Sequence, residues 1–142
     1  FNRECFYVVL TSQFSGVISH FIYNYFTFFK KEVELRLRHL HDGFKQLQSE
    51  GYKVDAIAPQ AAIYLTVQVD LVGKITASGT LLKSQSDVTE YLLNEAKLAM
   101  VPFGIFGADR ESSWYRLSVG CCRKEDIPEV ISKLRTALQQ LN

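Results

Sequence analysis

Seven apolar residues, Phe26, Phe29, Val33, Leu37, Leu40, Phe44 and Leu47, recur at spacings of three and four. Lys30, Lys31, Glu32, Glu34, Arg36 and Arg38 fall mostly between them. At 3.6 residues per turn this spacing lines up one apolar stripe on an amphipathic helix of about six turns. Gly51, just past the last apolar position, suits the left-handed conformation that ends such a helix. A long helix with one greasy side must bury it against a second layer. The rest of the chain has to supply that layer.

Further along, Ile63, Leu65, Val67 and Val69 alternate with Tyr64, Thr66, Gln68 and Asp70, the pattern of a half-buried strand. Gly73 and Gly79 bracket residues 74–80, read as a loop or short strand. Ser86 or Asp87 can cap a second helix, with Glu90 three after Asp87 and Val88, Tyr91, Leu92 and Ala96 as its apolar face. Leu98 to Val101 is a short apolar run that Pro102 and Gly104 break. Residues 114–119 read as another strand, with Trp114, Arg116 and Ser118 on one face and Tyr115, Leu117 and Val119 on the other. Ile127, Ile131, Leu134, Leu138 and Leu141 close the chain on a third helix, whose first turn tolerates Pro128. The fold class is therefore α+β, a small, mostly antiparallel sheet covered by helices on one face. With 47 % apolar and 22 % charged residues, a chain of 142 has enough material for one core and is not disordered.

Residues 5–29 carry no Asp, Glu, Lys or Arg. A membrane-spanning helix needs about 20 predominantly apolar residues, so this stretch has to be weighed. Eight of its 25 positions are polar, and Ser12, Gly16, His20, Asn24 and Thr27 form a weak stripe opposite Phe14, Val17, Phe21, Ile22, Tyr25 and Phe28. That argues against a span and for a greasy segment that covers its own core or has lost a partner. No small-residue cleavage site marks a secretory signal. The chain opens on Phe1 rather than Met, so a processed or truncated piece of something longer is expected. The organisation expected is an apolar segment at 1–25 and a domain at 26–142.

The residues exclude more chemistry than they offer. Sixteen Lys and Arg against 15 Asp and Glu leave a net charge of +1, without the basic excess of a nucleic-acid binder. The chain has three cysteines, and the neighbours Cys121 and Cys122 do not make a disulfide framework, so a reducing cytoplasm is expected. Zinc-type cysteine pairs, a phosphate-cradling glycine loop and a nucleophile elbow are all missing. His39 and His41 point about 200° apart on a helix and cannot share a metal; His20 reads as structural. Phe103 to Gly107 is a glycine-spaced aromatic loop, read as a turn with positive φ at its glycines. Arg116, in mid-strand, is either a solvent-exposed cation or a planar fork aimed into a cleft to hold a carboxylate.

Three segments together resemble a known family. Val101-Pro102-Phe103-Gly104-Ile105-Phe106-Gly107, a short gap, Trp114-Tyr115-Arg116-Leu117-Ser118, an acidic turn and a Leu-rich helix are similar to the end of a class I/II aminotransferase of fold type I. Ala58-Pro59-Gln60-Ala61-Ala62-Ile63-Tyr64-Leu65 resembles that family's Pro-x-Gly-Gly-aromatic strand opening, departing from it at Ala61 and Ala62. The helix at 26–50 resembles the one that leads from the large domain into the small one.

The resemblance implies a small domain that closes over an active site built elsewhere. It implies a parent enzyme dependent on pyridoxal phosphate, with amino-acid and 2-oxo-acid substrates, a large domain and a homodimer. In that family the Arg-Leu-Ser arginine binds the substrate α-carboxylate, the place Arg116 takes. No lysine here, of nine, stands in the family's Ser-Lys context, so this chain alone is expected to be inactive and not to hold the cofactor covalently. Residues 1–25 match the family poorly and are either a domain-junction and dimer surface or foreign residues. The competing reading is a non-catalytic, stand-alone α+β module that binds a ligand or a protein.

Overall fold

The computed structural model describes residues 3–60, 62–120 and 122–142, and only the backbone of 3–15 and 17. The expectations for Ala61, Cys121 and the side chains of Ser12, Phe14 and Val17 lie outside the described residues. Helix α1 runs Arg3–Ser49, β1 Val54–Ala56, β2 Tyr64–Val69 and α2 Gln85–Glu95. Then come β3 (Val101–Pro102), a 3-10 turn (Phe103–Phe106), β4 (Trp114–Ser118), a second 3-10 turn (Lys124–Asp126) and α3 (Ile127–Gln139). By its contacts the chain divides into two units, Phe1–Glu34 and Leu35–Asn142.

In the first unit the described side chains from Ile18 to Lys30 are all exposed. Phe21, Phe26 and Phe28 are each more than 60 % accessible, and Tyr25 stacks on Phe29 without burying it. The apolar stripe expected from Phe26 onwards is thus buried only from Val33 to Leu47, with Phe26 and Phe29 exposed. Among the described residues no helix is long and apolar enough to cross a membrane.

The second unit is an antiparallel four-stranded sheet in the order β1-β2-β4-β3. Alternation sends Leu65, Val67 and Val69 of β2 and Tyr115, Leu117 and Val119 of and after β4 to one face, all buried. Leu40, Phe44 and Leu47 of α1, Val88 and Leu92 of α2 and Ile131 and Leu134 of α3 are buried with them. Burying each such side chain contributes about 1.5–3 kcal/mol. Polar contacts tie the layer together: the Tyr91 hydroxyl donates to the Ala137 carbonyl at 2.7 Å, and Lys45 pairs with Asp55. Gly43 lets α1 and α3 approach closely, since a Cβ there would lie 2.6 Å from Ile131. Gly51, at φ +96°, ends α1 with the paired bonds Gly51 N–H to Gln48 and Tyr52 N–H to Leu47 that reverse a chain at a helix C-terminus.

The second unit departs from the sequence pattern in three further places. Strand β1 was not expected, because an alternation over three residues is too short to stand out. The run from Leu98 pairs only at Val101 and Pro102, and Pro102 belongs to the strand: on an edge its missing N–H costs no ladder bond. The cap of α2 is Ser84 rather than Ser86 or Asp87, with Asp87, not Glu90, closing the capping box. That earlier start turns Gln85 into the interior.

Candidate functional site

The outer face of the sheet carries Arg116. On β4 it alternates with buried Tyr115 and Leu117, so its side chain leaves the core on the same side as those of Trp114 and Ser118. The register sets its neighbours: Thr66 of β2 lies directly opposite, Val101 of β3 on the other side, and Tyr64 two pairs along, opposite Ser118. Diagonal neighbours on one face of an antiparallel pair come within reach of aromatic and long side chains. Accordingly the Arg116 Cζ sits over the Tyr64 ring, 4.0 Å from its centroid.

A second ring comes from the loop. Residues 103–106 form a 3-10 turn that places Phe106 with its ring centroid 4.5 Å from the same Cζ. The expected positive φ is found at Gly107 (+92°) but not at Gly104. What Gly104 supplies is space: a Cβ there would lie 3.1 Å from the Cα of Arg110, where the loop folds back. The far end of the loop is anchored by Gln85, whose amide donates to the Glu111 carbonyl at 3.2 Å and accepts from the Tyr115 hydroxyl.

The arginines of this unit differ in how their charge is met. Arg135 makes two bonds of 2.8 Å to Glu50, and Arg123 makes bonds of 2.8 and 2.9 Å to Asp126. Each fork holds its carboxyl below the usual range. Half-buried Arg116 has no carboxylate or other acceptor bonded to it among the described residues, only the two rings. A guanidinium has five N–H donors in a planar fork matched to a carboxylate. The arrangement can therefore accept an anion from outside. The face is open, and two grooves of about 750 and 770 Å³ elsewhere on the chain do not include Arg116.

Other sequence candidates are dispersed. His20 and His39 are exposed, and His41 faces Asp42 at 3.0 Å. No group of potential metal ligands occurs among the described residues. The Cys122 thiol is half-buried, pushed up by burial and donated to the Arg123 carbonyl, so it is not an activated nucleophile. A lysine that forms a Schiff base works in a desolvated setting. None of the lysines here is buried. Tyr64 and Phe106 were not singled out as partners of Arg116, nor was Gln85. The alternation placed Tyr64 on Arg116's type of face, but only the register brings the two together.

Residues 14–134 match the family "Aminotransferase class I and II". A probable aspartate/prephenate aminotransferase of Rickettsia typhi is 33 % identical over 114 residues, covering 80 % of this chain and 26 % of that protein. The crystal structure of the aspartate aminotransferase from Rhizobium meliloti superposes with a TM-score of 0.64 at 24 % identity, over 79 % of this chain and 26 % of that one. Cystalysin from Treponema denticola, whose crystal structure contains pyridoxal 5'-phosphate, shares the fold at a TM-score of 0.55 and 16 % identity, over 77 % of this chain and 24 % of that one. The chain spans about a quarter of the length of the relative it matches.

Proposed function

The chain belongs to the class I and II aminotransferases, and from that premise we propose that residues 26–142 are the small domain of an enzyme that moves an amino group between an amino acid and a 2-oxo acid. Arg116 is the residue that holds the substrate α-carboxylate. One observation carries this: a half-buried guanidinium on the open face of the sheet, flanked by two rings and bonded to no carboxylate among the described residues. The stand-alone binding module is not favoured, since 121 consecutive residues match the family.

In this reading the chain's own part is recognition and closure. Two charge-assisted N–H bonds from the fork fix both the position and the plane of the carboxylate, which a point charge cannot do. Holding the substrate this way turns its reacting end toward groups supplied from outside these residues and keeps it there. Pyridoxal phosphate, whose family chemistry is to act as the electron sink for the amino-acid Cα, is held by a large domain beyond this chain. Residues 1–25 belong to the junction with that domain or to a homodimer surface, and the enzyme works in the cytoplasm.

The test is Arg116→Lys in the holoenzyme. Lysine keeps the charge but loses the second charge-assisted bond of the fork, at a cost of about 1.5–3 kcal/mol. That is roughly ten- to 150-fold in kcat/KM for amino acids. The corresponding amines, which lack the carboxylate, should change far less. Equal losses for amino acids and amines would overturn the assignment.

A further inference from the structure

The proposed role of Arg116 leaves open what holds a long, flexible side chain in one place when no substrate is present. Among the described residues its guanidinium makes no ion pair, yet it is half-buried and its Cζ lies over two ring faces, at 4.0 Å for Tyr64 and 4.5 Å for Phe106. We propose that Tyr64 and Phe106 are positioning residues, an aromatic clamp that presets the Arg116 fork for an incoming carboxylate. This rests on the reading of Arg116 as the carboxylate site.

The physical logic is that a ring face attracts the cation without taking up its N–H donors. A carboxylate in the same place would compete with the substrate; a ring quadrupole does not. Arg carries a large rotamer entropy, which an unclamped side chain must lose when the substrate binds. A clamp takes that loss during folding instead.

Both rings are firmly mounted, as a clamp requires. Tyr64 stands on β2, whose backbone pairs with Ser118 of the arginine's own strand. Phe106 sits at the end of a turn closed by Gly107 N–H to Gly104 and Ala108 N–H to Phe103, each at 3.3 Å. Phe103 meets the Phe106 ring edge to face, centroids 6.3 Å apart. The close approach at Gly104 and the Gln85 anchor at Glu111 hold the loop's two ends. Tyr64 and Phe106 come from segments 42 residues apart, and both lie against this guanidinium.

The experiment has two arms. In this chain, the arginine Nε–H resonances are assigned by NMR; that of Arg116 should be shifted by ring currents and well ordered. Tyr64→Leu and Phe106→Leu should each collapse the shift and loosen the group, while Tyr64→Phe and Phe106→Tyr keep both. In the holoenzyme, each Leu variant should raise KM for amino acids about three- to tenfold with little change in kcat. The same variants should leave KM for the matching amines unmoved, and the aromatic replacements should restore the parent value. An unshifted, disordered Nε–H, or an unchanged KM in the Leu variants, overturns the clamp. A KM that rises equally for amines also overturns it, because that marks a merely structural role. Arg116→Lys run alongside separates the two ideas: if it spares amino acids and amines alike, the carboxylate site itself is wrong. If it discriminates while the Leu variants do not, only the clamp is.

Discussion

Replacing Tyr115 by Phe removes one hydroxyl from the strand that carries Arg116 and leaves the ring in place. Tyr115 is 0 % exposed, and its hydroxyl donates to the amide oxygen of Gln85, itself 5 % exposed. The other end of that amide donates to the Glu111 carbonyl at 3.2 Å, which fixes its orientation and prevents it from flipping to find another donor. Tyr115→Phe therefore strands a buried acceptor, at a cost of about 1–3 kcal/mol. Gln85→Met removes the acceptor of the Tyr115 hydroxyl instead and leaves Thr89 as its side-chain partner, for a smaller loss; Glu111 is exposed, so water can take over its carbonyl. The double variant has no stranded partner in the interior. It should be about 1–2 kcal/mol more stable than the sum of the single losses predicts. Urea unfolding followed by the fluorescence of Trp114, the single tryptophan and the neighbour of Tyr115 on β4, reads all four forms. For a domain of about 100 residues a loss of 1 kcal/mol also lowers Tm by about 4–8 °C. Strict additivity of the two losses, or a Tyr115→Phe loss below about 0.5 kcal/mol, would refute the buried pair.

Glu50, Asp55, Asp87 and Asp126 are all held below their ordinary values, by Arg135, Lys45, the Lys83 N–H and Arg123 in turn. Their contribution is present above the unfolded values and lost as pH falls through the lower folded ones, so stability should drop in acid and Arg135→Gln should flatten that drop in a pH-resolved melt. Burial raises the Tyr115 and Tyr91 phenols, so their contribution is complete below the unfolded value of about 10 and lost above it; Tyr115→Phe should soften the alkaline limb of the same melt. The exposed aromatics Phe21, Tyr25 and Phe28 should make the chain self-associate and bind a hydrophobic dye, and changing all three to Ser should abolish both, as light scattering and dye fluorescence would register. Mixed with pyridoxal phosphate and reduced with borohydride, this chain should give scattered, substoichiometric lysine labelling by mass spectrometry, because no lysine is buried; one stoichiometric adduct would contradict the assignment of the cofactor to another domain.

What could be read from the sequence is what depends on near neighbours. The three-and-four spacing from Val33 to Leu47 and from Ile127 to Leu138 specifies which side of each helix is buried, because those side chains share a face within one chain segment. The alternation from Trp114 to Val119 likewise put Arg116 on the side away from the core, and the linear motifs around it carried the family. The stripe at Phe26 and Phe29 continues the same period, yet both are exposed, since a period says which residues align and not whether anything covers them. The tertiary structure alone decided the rest. Strand register seats Tyr64 beside Arg116, the fold-back at Gly104 delivers Phe106, and the start of α2 at Ser84 turns Gln85 under the strand. Each of these joins residues that are tens of positions apart, and local spacing carries no information about which distant segment will arrive, or in what register.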